Sequence, residues 1–311
     1  VKRPNGTGWT VVEFLSVFIN VVLPVFGIVA LGFVLGARLE LQARTLTRTA
    51  YYVFVPAFIF KAISGSQIGF DSTLKMLVFI LATHLLGALV AGLIGQGLGK
   101  SKEMIAAFIM IAAFGNVGNY GLAMIRFRLG EHAMAPATLY FVVISISAFV
   151  ICVGAAGWAH GGRGGALRGV LKTPALWATL PALAVSVGGI GIPLMLSRLI
   201  GLLADAMIPV MLFALGLQLL EQRKVALGFD VFLASGIRLL LLPTLAFVIA
   251  IPFDLGRLQS AAGILQAGMP AAILVAIIAK ENNIVPQFVT SVVVVSTLAS
   301  LATLTLLMVI L

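Results

Sequence analysis

Apolar stretches of about 20 residues follow one another along nearly the whole chain, parted by short gaps that collect Gly, Pro and charged residues. The stretches show no alternation of apolar and polar positions, so they do not describe the strands of a membrane barrel. In lipid the remaining way to satisfy every backbone group is the α-helix. Cutting at the gaps predicts spans near residues 11–35, 45–63, 73–98, 103–127, 136–158, 174–193, 199–220, 229–251, 258–279 and 286–310. Residues 1–10 are polar, and no small-residue cleavage pattern follows in the first apolar run. They are expected to form a short tail before a retained first span.

The punctuation repeats. Offsetting the chain by roughly 150 residues aligns Pro56 (YYVFVPAFIF) with Pro209 (DAMIPVMLFALG) and Pro136 with Pro286. It also aligns two interrupted spans, FGNVGNYGLAM from Phe114 to Met124 and LQAGMPAAILV from Leu265 to Val275. An odd number of spans per repeat turns the second repeat over relative to the first. The expected fold is therefore an all-α membrane protein of ten transmembrane helices, built as two inverted five-helix repeats. Residues 1–158 form the first repeat, 159–173 a cytoplasmic linker that is Gly-rich and basic, and 174–311 the second.

Helices four and nine should be broken and cross at the midplane. In the first, Gly115, Gly118 and Gly121 with Asn116 and Asn119 interrupt strong helix formers. Each Gly costs roughly 1 kcal/mol relative to Ala in a helix interior. In the second, Gly268 stands two residues before Pro270, which removes an amide hydrogen and clashes with the preceding turn. Unwound backbone at membrane depth is tolerated only where protein or a watery cavity surrounds it. Half-helix N-termini there would offer amide hydrogens and partial positive charge to an anion, with Asn116, Asn119 and Gln266 adding oriented polar contacts. Gly32 and Gly36 (LGFVLG) instead read as close helix packing.

Composition supports lipid as the solvent: 61% of residues are hydrophobic, 10% charged, and the mean hydropathy is +1.17. A net charge of +10 would suggest nucleic acid in a soluble protein. Here the cations sit in the gaps, where they set orientation and meet lipid headgroups, so no nucleic-acid partner is expected. The larger share lies on the side that holds Arg38, Arg44, Arg48, Lys100, Lys102 and the linker, which makes that side cytoplasmic and places both termini outside. The lone Cys152 rules out an intrachain disulfide. His84, His132 and His160 are scattered and no HExxH or Cys/His spacing occurs, so neither an enzyme nor a metal or other cofactor is expected.

Two ionisable residues fall inside spans: His84 in the third and Arg238 in the eighth. Such groups are candidate functional sites by default. His84 could titrate near neutral pH, and Arg238 could neutralise a carboxylate; the alternatives are a hydrogen-bonded core histidine and a snorkelling arginine. Asp205, four residues before Pro209, suits a helix N-terminus, Glu13 marks the rim of span one, and Arg126 and Arg128 either draw anions or anchor in headgroups.

With the proline of spans two and seven, the Asn/Gly break in span four and the Pro break in span nine, the chain resembles the auxin efflux carrier family. That family includes the plant PIN carriers and bacterial malonate and malate carriers. The bile-acid sodium symporters share the architecture. The resemblance implies a scaffold of spans 1, 2, 6 and 7, which forms a homodimer, and a transport domain of spans 3–5 and 8–10 that moves as an elevator. Substrate would bind near Asn116, Val117, Gly118, Asn119, Gln266, Met269 and Pro270, facing Pro56 and Pro209. Where the plant carriers have Asn-Pro-Asn, this chain has Asn116-Val117-Gly118-Asn119. The implied function is a secondary carrier in a bacterial inner membrane for a small organic anion, a carboxylate such as an auxin-like acid, malonate or malate. A sodium-coupled symporter of the bile-acid type and an anion channel are the alternatives.

Overall fold

Proline sets the local geometry of several helices. In a computed structural model, which describes residues 11–65, 69–161, 174–222 and 225–311, a five-residue π-helical turn precedes Pro24 (Phe18–Val22), Pro56 (Ala50–Phe54) and Pro243 (Ile237–Leu241). Proline offers no amide hydrogen and its ring presses on the carbonyl one turn back. The helix relieves this by widening one turn: the amide of Leu23 bonds the Phe18 carbonyl, Val55 that of Ala50 and Leu242 that of Ile237, five residues back in each case. The helices continue through these turns.

Among the described residues the regular elements are helices. They are α1 (Val11–Arg38), α2 (43–64), α3 (Phe70–Gly97), α4 (Lys102–Ala113), α5 (117–129), α6 (Met134–Ala159), α7 (Pro174–Gly188), α8 (Leu194–Glu221), α9 (Phe229–Phe253), α10 (Arg257–Ala267), α11 (Ile273–Glu281) and α12 (Pro286–Ile310). α1, α3, α6, α8, α9 and α12 are each long and apolar enough to cross a membrane. The stretch expected as one span over 103–127 is two helices, α4 and α5, and that over 258–279 is α10 and α11. The expected linker falls almost wholly outside the described residues, as do Arg223 and Lys224.

Packing is densest within two groups. α1 packs on α8, and α2 on both α7 and α8; α3 packs on α4, α4 on α6, α9 on α3, α10 and α12, and α11 on α12. At the α1–α8 crossing the backbones of two helices come into close contact. A Cβ on Gly32 would lie 2.1 Å from the Phe213 carbonyl oxygen, and one on Gly216 would lie 2.0 Å from that of Val29. Gly32 therefore does what its sequence spacing suggested: it lets helices touch along their backbones.

Between the groups the contacts are fewer. α8 and α1 lean on α5, where the Phe26 ring meets the Tyr120 ring edge-on at 5.5 Å, and α2 and α7 lean on α6.

Candidate functional site

The two helix breaks meet. Gly115 and Ala271 form an isolated antiparallel β-bridge, in which the Asn116 amide donates to the Pro270 carbonyl at 2.7 Å and the Ala272 amide donates to that of Phe114 at 2.9 Å. Each break thus satisfies backbone groups that the other leaves open, which is how two unwound segments can be buried together. The Ala271 amide is held by the Ser296 hydroxyl of α12 at 3.1 Å. Beyond the bridge, 117–121 coils as a wide π-turn into α5, closed by the Gly121 amide bonding the Asn116 carbonyl.

Arg238 joins the breaks from α9. Fully buried in a π-turn, it donates from Nε to the Met269 carbonyl at 2.7 Å and from Nη1 to the Ala112 carbonyl at 2.9 Å. These carbonyls lie at the C-terminal ends of α10 and α4, where the helix dipoles concentrate negative charge, so the cation is placed where both helices favour it. None of the ion pairs among the described residues involves Arg238. Its Nη2 has no hydrogen-bond partner and lies over Gly115, where a Cβ would come within 1.8 Å of it.

His84, from α3, serves the first break alone. A carbonyl has no hydrogen to give, so Nδ1 carries a proton and donates to the Ala113 carbonyl at 2.8 Å. In the neutral ring Nε2 then accepts from the Tyr140 hydroxyl at 2.7 Å. The expected intramembrane histidine is thus a buried, doubly bonded cap on α4 beside Arg238.

Three buried side-chain atoms at this junction lack partners: Asn116 Nδ2, Arg238 Nη2 and Gln266 Oε1. The amide of Gln266 is oriented by donation from Nε2 to the Ala137 carbonyl at 3.3 Å, leaving Oε1 above Gly121, where a Cβ would approach within 2.1 Å. Buried polar atoms are nearly always bonded, so three unpartnered ones at one junction single it out as the candidate site. Two of them donate and one accepts.

The expected site residues mostly converge here. Asn116, Val117, Gly118, Met269 and Pro270 are buried at the bridge, with Gly118 against the Phe141 ring, and Asn119 is half-buried on the same turn. Pro56 is half-buried on α2, and Pro209 is exposed on α8, the helix that packs on 117–121. Asp205 pairs with Lys61 at 2.8 Å, Arg126 pairs with Glu131, and Arg128 donates to the Met308 carbonyl at 2.8 Å. These groups are tied to protein. Lys61, Asp205, Arg126, Glu131 and His132 line a cavity of about 450 Å³ between α2, α8 and the start of α6. A second cavity of about 500 Å³ runs between the end of α8, α11 and the start of α12, and includes Ile273 beside the bridge.

Sequence reasoning missed Tyr140, Ser296 and Ala137 as partners of the junction. Nothing in their sequence context distinguishes them from other residues of apolar helices.

Paired, interlocked helix breaks around a buried cation resemble the discontinuous helices found in membrane transporters. Comparison with known proteins agrees. The family described as "Membrane transport protein" matches residues 165–308. An uncharacterised transporter of Methanothermobacter thermautotrophicus is 28% identical over 294 residues, covering 92% of this chain and 95% of the relative. A candidate malonate transporter of Rhizobium meliloti is 26% identical over 306 residues, covering 92% and 93%. The uncharacterised transporter YfdV of Escherichia coli is 24% identical over 304 residues, covering 93% and 96%. The chain is thus similar over nearly its whole length to proteins named as transporters, and its second half matches a family of membrane transport proteins.

Proposed function

We propose that the protein is a secondary carrier for a small organic carboxylate, which binds at the crossover of the two breaks and is moved by alternating access. The single observation that carries the reading is Arg238: a guanidinium fully buried between the breaks, bonded only to carbonyls, with Nη2 unpartnered. Burying a charge without a counter-charge is costly, and a carboxylate at Nη2 would relieve that cost through a charge-assisted hydrogen bond. Asn116 Nδ2, on the residue next to Gly115, is a second donor for the same anion. The candidate malonate transporter among the relatives supports a small carboxylate as cargo.

The architecture in this reading is ten spans in two inverted halves, with α4–α5 and α10–α11 as the interrupted fourth and ninth. The separate packing of α1, α2, α7 and α8 from the other helices supports a scaffold and a moving transport domain. Cavities at the start of α6 and at the start of α12, equivalent places in inverted halves, suit access from opposite faces. The scaffold face pairs two copies, and both termini lie outside. The test is equilibrium binding of malonate, malate and indole-3-acetate to the purified protein, with and without sodium. Saturable, sodium-independent binding of a carboxylate supports the reading. Binding only with sodium favours the bile-acid type, and no binding of any carboxylate refutes it.

A further inference from the structure

We infer that the site selects a monoanion bearing, besides its carboxylate, one hydrogen-bond donor, and that Gln266 is the residue that reads the donor. The inference rests on the carboxylate-carrier reading and deepens it. The unpartnered atoms do not all suit an anion: Arg238 Nη2 and Asn116 Nδ2 donate, but Gln266 Oε1 can only accept. The amide cannot turn over to present its nitrogen without losing the bond from Nε2 to the Ala137 carbonyl and setting Oε1 against that carbonyl oxygen, acceptor to acceptor. Arg238 Nη2 lies against Gly115 and Gln266 Oε1 against Gly121, at the two ends of the first break, so a small ligand along that break would meet a cation at one end and an acceptor at the other.

A carboxylate at Gln266 Oε1 would set two acceptors against each other in a buried place, whereas a carboxylic acid O–H, an alcohol or an N–H would complete the pair. Discrimination of this kind is strong, because the wrong ligand leaves a buried polar atom unmatched. One guanidinium also matches one negative charge. A dicarboxylic acid would therefore enter singly protonated, Arg238 facing its carboxylate and Gln266 accepting from its acid O–H. The ligand then carries its own proton across, and the site needs no titrating acid. The titratable groups that face the junction are His84, Tyr120, Tyr140, Cys152 and Arg238; His84 already spends both ring nitrogens on Ala113 and Tyr140.

The probes are malonate and its monomethyl ester, a monoanion of similar shape without the donor, titrated into the purified full chain across the second ionisation of malonate. The expected result is malonate binding about tenfold tighter than the ester below that ionisation, with the advantage disappearing above it while the ester's affinity stays level. In Gln266→Met the ratio should shrink to within about twofold, and Gly121→Ala, whose new Cβ would push Oε1 aside, should shrink it likewise. Equal binding of the two ligands by the wild type, or a malonate affinity that does not fall as the second proton leaves, overturns the inference and leaves the carrier reading standing. An unchanged ratio in folded Gln266→Met overturns the role of Gln266. Binding of malate or indole-3-acetate but of neither probe overturns the inference, and binding of no carboxylate at all removes the carrier reading beneath it.

Discussion

The two helix breaks pair with each other but are built differently. The first, from Phe114 to Gly121, is long, coils as a π-turn and brings a polar side chain, Asn116, whose amide nitrogen is unpartnered. The second, from Gly268 to Ala272, is short and rich in small and apolar residues, and it contributes mainly backbone: the Met269 carbonyl to Arg238 and the Pro270 carbonyl to Asn116. Their supports differ too. His84 caps only the first, whereas Arg238 holds Ala112 on one side and Met269 on the other. On the proposed reading the two breaks divide the labour: one recognises, the other braces, and a single cation bonded to both sides locks them together.

Removing the lock should have the largest effect. Arg238→Gln takes away the charge and leaves buried carbonyls of both helix ends short of donors. A loss of about 3 kcal/mol of stability, read from thermal unfolding, is expected together with loss of carboxylate binding. Arg238→Lys sharpens the point. It keeps the charge but not the planar fork, so it should restore part of the stability and little of the binding.

Gly115→Ala tests the same contact from the opposite side. Its Cβ would fall 1.8 Å from Nη2, so the guanidinium must shift off the first break. Binding should weaken by ten- to a hundredfold, or roughly 1.4–3 kcal/mol. The matching change in the second break, Gly268→Ala, meets the far end of the Leu307 side chain at 2.7 Å, which can give way. It should alter binding far less, and equal losses from the two would erase the division between recognition and bracing.

Asn116→Ala removes one unpartnered donor and should weaken binding about tenfold while leaving unfolding nearly unmoved, with Asn119→Ala, half-buried on the same turn, weaker still. The smallest effect belongs to the outer charges. Lys61→Ala breaks an ion pair whose side chains are 50% and 57% exposed, so a stability change below about 1 kcal/mol is expected in an unfolding scan.

Both breaks were legible in the sequence because the residues that make them, clustered Gly and Asn in one and Gly with Pro in the other, are costly inside helices and stand out in apolar runs. Gly32 was legible as a packing residue for a similar reason. Arg238 and His84 could be singled out, since ionisable groups are rare in spans. Their partners could not. That Arg238 would reach both breaks, or that His84 would be fixed by Ala113 and Tyr140, depends on which helices lie side by side, and apolar periodicity carries no record of that. The π-turns were missed as well: Pro24, Pro56 and Pro243 signal a disturbed helix, but not whether it will kink, stop or widen by one residue.

The most direct test of the central claim is a calorimetric titration of small carboxylates, malonate first, into the wild type and Arg238→Gln side by side, with the helix content of both checked by circular dichroism. The account predicts saturable binding to the wild type and none to the folded variant. Equal binding by the two proteins would show that the buried guanidinium is not where the anion sits.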